Sequence, residues 1–243
     1  MVELEPTTIY FISSDSQEPG LEPEVSAKSL PDWYKTADRY DEAHSSTFRN
    51  CVPVFDSMTS GYVFLTPCDI EFTEVDNKLE IKVLDHNFVG FASAREPNPH
   101  FHNPEGYYDH HFAWLPRWGL SLGEGYSALY VTPLNRFELP FICASGIIDN
   151  DRMNTPGMMP FWIRKGFSGV IPKGTPFMQI LPFKRENWQA VNIAADELQV
   201  RRNLKRANRF RSEPNDYYRN HTWTRKKYRI KDGVRLTPEE GNQ

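Results

Sequence analysis

Two groups of residues have the types and spacing that chemistry needs. In the first, His100 and His102 stand two apart, so an extended backbone puts both imidazoles on one face. Glu105, Asp109, His110 and His111 follow within nine residues of His102. Two or three imidazoles with a carboxylate on a β scaffold form the ligand set of non-haem iron and related divalent-metal sites. His100, His102, His110 and His111 are therefore the candidate metal ligands. The same residues also suit a polar surface loop whose imidazoles bond to carboxylates and water. In the second group, Asp149 and Asp151 flank Asn150 just after Gly146-Ile147-Ile148. Asp149 is the candidate catalytic carboxylate. The alternative reading makes both aspartates loop residues that bond nearby backbone amides.

The elements that must position these groups read as short strands. From Gly146 to Phe183, the apolar segments Met158–Ile163, Phe167–Ile171 and Phe177–Phe183 are punctuated by Gly166, Gly169 and the turn Pro172-Lys173-Gly174. Upstream, Thr7–Ile12 suits a first strand, and Ser29 or Asp32 suits the cap of a short helix carrying Trp33 and Tyr34. The aromatic pair reads as the cover of a core edge. The β pattern begins at Cys51 and continues through Tyr62–Leu65. Asp69–Thr73 and Leu79–Leu84 alternate and are joined by the turn signal Asp76-Asn77. Phe88–Ala92, Phe112–Leu115, Ala128–Thr132 and Phe137–Ser145 add strands. Trp188, Val191, Ala195 and Leu198 recur at three- and four-residue steps, which predicts a helix over residues 186–211. A last strand is predicted at Trp223–Ile230. The expected fold is mainly β: a compact barrel or sandwich core over 50–185, with an N-terminal extension (1–49) and a helical, basic C-terminal extension (186–243).

Composition narrows the classes. Hydrophobic content of 39% with 14% aromatic residues excludes a disordered chain. Nineteen prolines and fourteen glycines favour turns, hence β structure. No apolar run approaches the ~20 residues that span a bilayer. The N-terminus lacks a basic start followed by an apolar stretch, so a cytoplasmic location is the default expectation. Cys51, Cys68 and Cys143 lack CxxC spacing and read as buried reduced thiols. The net charge of −4 is unevenly spread. Residues 201–235 hold thirteen Lys/Arg against three Asp/Glu, a balance of +10; the other 15 basic and 29 acidic residues balance to −14. The basic stretch, interleaved with Phe210, Tyr217, Tyr218, Trp223 and Tyr228, suits either of two partners. One is an acidic surface of the same chain or a second copy; the other is nucleic acid. No Walker loop, GxGxxG, nucleophile elbow or HExxH is present.

Three resemblances follow from particular residues. His100-Phe101-His102 with Glu105 is similar to the opening of a cupin metal motif. The second cupin motif would end in His, but Phe177 stands there after Pro172-x-Gly174. Gly125-Tyr126-Ser127, Pro133-Leu134-Asn135, Gly146-Ile147-Ile148-Asp149-Asn150-Asp151 and Gly174-Thr175-Pro176-Phe177-Met178-Gln179-Ile180 resemble, in order and rough spacing, the motifs of the trimeric dUTPase family. Gly61-Tyr62 is similar to that family's early Gly-Tyr-Asp-Leu strand, with Val63 in place of its Asp. The resemblance implies a β-clip type of fold, assembly as a trimer, and Asp149 in the role of orienting the attacking water. Three departures count against the activity. Arg152 replaces the Tyr that packs on the deoxyribose, Leu134-Asn135 replaces the phosphate-binding Arg-Ser, and the Gly-rich closing arm is absent. Finally, Leu30-Pro31-Asp32-Trp33-Tyr34-Lys35 with Cys51-Val52-Pro53 and Asp56–Tyr62 is similar to an uncharacterised family of tailed phages and marine bacteria.

The leading expectation is a phage-associated, non-catalytic structural or interaction protein that forms homo-oligomers on a dUTPase-like core, with no cofactor and no membrane contact; the phage resemblance implies the host cytoplasm or a virion as its location and adds a virion to the partners that residues 201–235 could meet. Its rivals are a metal-dependent, cupin- or oxygenase-like enzyme using a divalent ion at the histidine cluster, and a divergent nucleotide hydrolase using Asp149.

Overall fold

Alternating apolar and polar residues bury one face of a strand, and in this chain the buried faces of four antiparallel units meet in one core. The structure is a computed structural model that describes residues 7–15, 17–44, 46–76, 78–95, 102–154, 157–212 and 217–231. Among them the strands are β1 (Ile9–Ser13), β2 (Glu24–Val25), β3 (Tyr62–Leu65), β4 (Ile70–Val75), β5 (Lys78–Val83), β6 (Ala92–Ala94) and β7 (Phe112–Trp114). They continue as β8 (Trp118–Leu122), β9 (Tyr126–Val131), β10 (Phe141–Cys143), β11 (Gly146–Ile148), β12 (Met159–Ile163), β13 (Gly169–Ile171) and β14 (Pro176–Lys184). The α-helices among the same residues are α1 (Asp32–Thr36), α2 (Val52–Thr59), α3 (Glu197–Ser212) and α4 (Tyr217–His221).

The largest sheet has the order β11-β9-β14-β3-β2. A second sheet runs β10-β12-β7-β6, a third β13-β4-β5, and β1 pairs with β8 as a ribbon. Each contributes side chains to one aromatic core. Trp114 of β7 stacks on Phe161 of β12 with ring centroids 3.8 Å apart. Phe177 of β14 packs 5.2 Å from Trp114, and Phe72 of β4 meets Phe112 edge-on at 5.4 Å. Leu120 of β8 is fully buried in the same cluster. The chain is thus mainly β, as its patterning predicts, and the β14 strand runs between β9 and β3 through the middle of the largest sheet. The cysteines are unpaired; burial pushes the Cys143 thiol up to about 12, so it is inert as a nucleophile.

Several elements differ from the pattern-based expectation. The chain after Cys51 is helical rather than extended: α2 carries Pro53 in its first turn, where a missing N–H costs nothing. A 3-10 turn at His86–Phe88 precedes β6, which starts later than Phe88. Residues 187–196 are not helical, and α3 begins only at Glu197, where Asp196 accepts from the Gln199 amide at 2.7 Å. The segment around Trp223–Ile230 is a strap rather than a strand. It returns to the core after α4 and lies on α2 and β3. There the Trp223 indole donates to Asp56 at 2.9 Å, Lys226 pairs with the same carboxylate at 2.6 Å, and Tyr62 donates to the Arg229 carbonyl at 3.1 Å. The Tyr228 ring meets Tyr62 edge-on at 5.8 Å.

Candidate functional site

Strand β11 ends at Ile148 and delivers Asp149 and Asp151 to one end of the largest sheet, beside the start of β9. The intervening Asn150 anchors the loop. It is buried, its amide donates to the Met153 carbonyl at 3.1 Å, and its oxygen accepts from the Tyr130 hydroxyl at 3.3 Å. With Asn150 held inward, its two neighbours project from either side of the turn. The Arg152 and Met153 amides close that turn by donating to the Asp149 carbonyl, both at 3.0 Å.

The cation that meets these carboxylates is Arg185, the first residue after β14. Its backbone is fixed by donation to the Gly125 carbonyl at 2.8 Å. Its guanidinium forms a two-pronged pair with Asp151, and it also donates to the Tyr126 carbonyl and the Ser127 hydroxyl, both at 2.9 Å. The Gly125 amide donates to Asp151 at 2.9 Å. The Asp151 side chain is only 4% exposed, and Arg185 is 31% exposed. The guanidinium hydrogen bond, aided by the Gly125 amide and opposed by burial, holds the Asp151 carboxyl down at about 2. The same contact raises the pKa of Arg185.

Asp149 stands at the edge of this network, 52% exposed. One of its oxygens accepts from the buried Ser127 hydroxyl at 2.6 Å and lies 3.3 Å from the Arg185 guanidinium. A carboxylate held this way can accept a further hydrogen bond from solvent. Arg185 is shared between the two carboxylates, so its single charge offsets only one of them. Two small clefts in the fold, one lined by Phe64, Phe88 and Trp118 and the other by Met58, Leu134 and Gln179, do not include it. Arg152, where the dUTPase pattern has Tyr, is exposed.

The turn that would carry a phosphate clamp is occupied by structural bonds. The Leu134 amide donates to the fully buried Gln179 at 2.9 Å. Gln179 in turn donates to the Ser57 and Ser60 carbonyls at 2.9 and 2.7 Å. Asn135 sits at a φ of +57° and donates to the Ser57 hydroxyl at 2.7 Å. Arg136 donates to the Ser29 carbonyl at 2.6 Å and pairs with Glu138. These contacts tie the β9–β10 turn to the C-terminal end of α2.

The histidines are spread out. His100 lies outside the described residues, and His102 is exposed. His110 bonds to the Leu79 carbonyl at 3.2 Å and lies against Phe112, whereas His111 packs against the Trp162 ring at 5.9 Å. The two imidazoles thus pack on different partners, His110 on Leu79 and Phe112 and His111 on Trp162 of β12. Burial, then Arg95 and His110, lower the pKa of His111. Asp109 pairs with Lys165 at 3.2 Å, and Glu105 is exposed. Among the described residues no group of three or more His, Cys, Asp and Glu side chains is placed to hold a metal ion.

Arg185 is the member of the site that sequence reasoning misses. Its one local signal is a cation directly after a long apolar strand. No family model and no curated protein matches the chain. Among solved structures it is similar to the dUTPase of phage phi11 of S. aureus. A point mutant of that enzyme, whose structure reveals the coordination of a structural Mg(II) ion, matches at 10% identity and a TM-score of 0.35, over 79% of this chain and 99% of that one. A second structure of the phi11 dUTPase, which displays its species-specific insert, matches at 14% identity and a TM-score of 0.25, over 50% and 99%. Matches of this size carry no activity across to this chain; the mainly β fold class rests on its own strand pairing.

Proposed function

We propose that this protein is a non-catalytic interaction protein, phage-associated by resemblance, that assembles with copies of itself through the segment following Arg185. One observation carries the reading. Trp188, Val191 and Ile193 follow the last strand in irregular backbone, and they are 87, 70 and 85% exposed. Three large apolar side chains within six residues mark a contact surface when the monomer leaves them in water. Burying each Val or Ile contributes about 1.5–3 kcal/mol, and Trp no less. The occupant is a second copy, as the trimer of the resembling family suggests. Ile147 on the edge strand β11 and Phe137 offer exposed apolar surface to receive the segment.

The carboxylate loop supports this reading rather than an active site. Asp151 and Arg185 pin the root of the projecting segment, so that it leaves the sheet in one direction. The test is the mass of the purified full-length chain by light scattering. A homo-oligomer is expected, together with a lower mass for the variant Trp188→Ser/Val191→Ser/Ile193→Ser at unchanged circular dichroism. A monomeric parent, or a variant of unaltered mass, overturns the proposal.

A further inference from the structure

Helix α3 lies in an excursion of the chain that is anchored at both ends. The backbone leaves the core at Arg185, held by Gly125 and Asp151, and returns at Trp223 and Lys226, held by Asp56. Between these anchors α3 is exposed along residues 197–209. It is therefore a tethered handle and not a free tail.

Its charges are ordered. At 3.6 residues per turn, Arg201, Lys205 and Arg209 form one row and Arg202 and Arg206 a second, together covering an arc of about 140°. Val200, Leu204 and Ala207 fall on the opposite side. Glu197 is the only acidic residue of the helix. Arg209 is also engaged within the chain, and the other four cations, over five rises of about 1.5 Å, put one positive charge on every ~1.9 Å of helix axis. Duplex nucleic acid carries one negative charge per ~1.7 Å. The two line densities match to within a factor of two. The chain's own excess of −14 is spread over all residues outside 201–235. Three of these four cations are arginines, whose planar fork suits phosphate oxygens.

We propose that the α3 basic face binds the phosphodiester backbone of nucleic acid, without base selectivity. The net negative body repels the same polyanion and directs it to the basic stretch of residues 201–235, of which α3 presents the ordered face. The inference goes beyond the self-assembly reading and uses different side chains.

The test is fluorescence anisotropy of labelled duplex and single-stranded DNA with the full-length protein, over a salt series. Four phosphate contacts, from Arg201, Arg202, Lys205 and Arg206, give a slope of log affinity against log salt of about −3.6 on duplex and about −2.8 on a single strand. The variant Arg201→Gln/Arg202→Gln/Lys205→Gln should lose about 2.7 of the duplex slope. Arg201→Lys/Arg202→Lys should keep it. Light scattering should find the same mass for both variants as for the parent, because Trp188, Val191 and Ile193 are untouched. Absence of binding at low salt overturns the inference, and so does a slope that the Gln variant leaves unchanged. A fall in mass of the Gln variant, without DNA binding by the parent, would assign the helix to an acidic face of a second copy and would equally overturn it.

Discussion

Replacing Asp151 by asparagine keeps the size of the side chain and removes the charge that faces Arg185. The carboxylate is almost fully buried and takes both prongs of the guanidinium as well as the Gly125 amide. Removing one partner of a buried pair costs about 3–5 kcal/mol, because the other charge is left unbalanced. Arg185 retains some water contact and Asp149 lies 3.3 Å away, so the low end applies, about 3 kcal/mol. For a chain of this size that lowers the melting temperature by about 6–12 °C. The pH dependence has a definite sign. The folded carboxyl sits at about 2, below its ordinary 3.8, so its contribution is complete above 3.8 and disappears as pH falls toward 2. Urea unfolding at a series of pH values should find a smaller gap between parent and Asp151→Asn as the medium is acidified. Arg185→Gln should destabilise as well, and the double variant should lose less than the sum of the two. A loss within ~0.5 kcal/mol for Asp151→Asn near neutral pH would place the pair among ordinary surface contacts and refute the reasoning.

Two other predictions follow from the site and its supports. The purified protein with Mg²⁺ should not hydrolyse dUTP above background, since Leu134-Asn135 and Gln179 are engaged in structural bonds where a phosphate clamp would be needed; turnover that disappears in Asp149→Asn would overturn this. Gly61 has a φ of +73°, and a Cβ there would lie 2.0 Å from the Ile180 carbonyl oxygen, so Gly61→Ala should cost about 3 kcal/mol or more, read as a lower urea midpoint or loss of soluble protein.

What the sequence determines by itself is local. The alternation in Ile70–Val75 and Lys78–Val83 is enough to pair β4 with β5, because a period of two specifies which face is buried, and Asp76 takes the positive φ that the turn requires. The loop position of Asp149 and Asp151 is legible from the flanking β residues, and so is the basic character of residues 201–235. Where pattern reasoning fails, two local signals compete. The step pattern Trp188, Val191, Ala195, Leu198 mimics a helical face, yet the chain stays irregular until Asp196 supplies a cap. The apolar run at Val52–Thr59 suits either state, and the helix wins because Pro53 is tolerated in a first turn. The partners of the site are a different matter. Arg185 lies 34 positions from Asp151 and 58 from Ser127, and nothing in the spacing says which of 28 cations will meet the loop. Likewise Asp56 meets Trp223 across 167 positions. Only the pairing of β14 with β9 brings Arg185 to the end of the sheet where β11 delivers the carboxylates, because strand register carries a side chain to its partner regardless of separation along the chain.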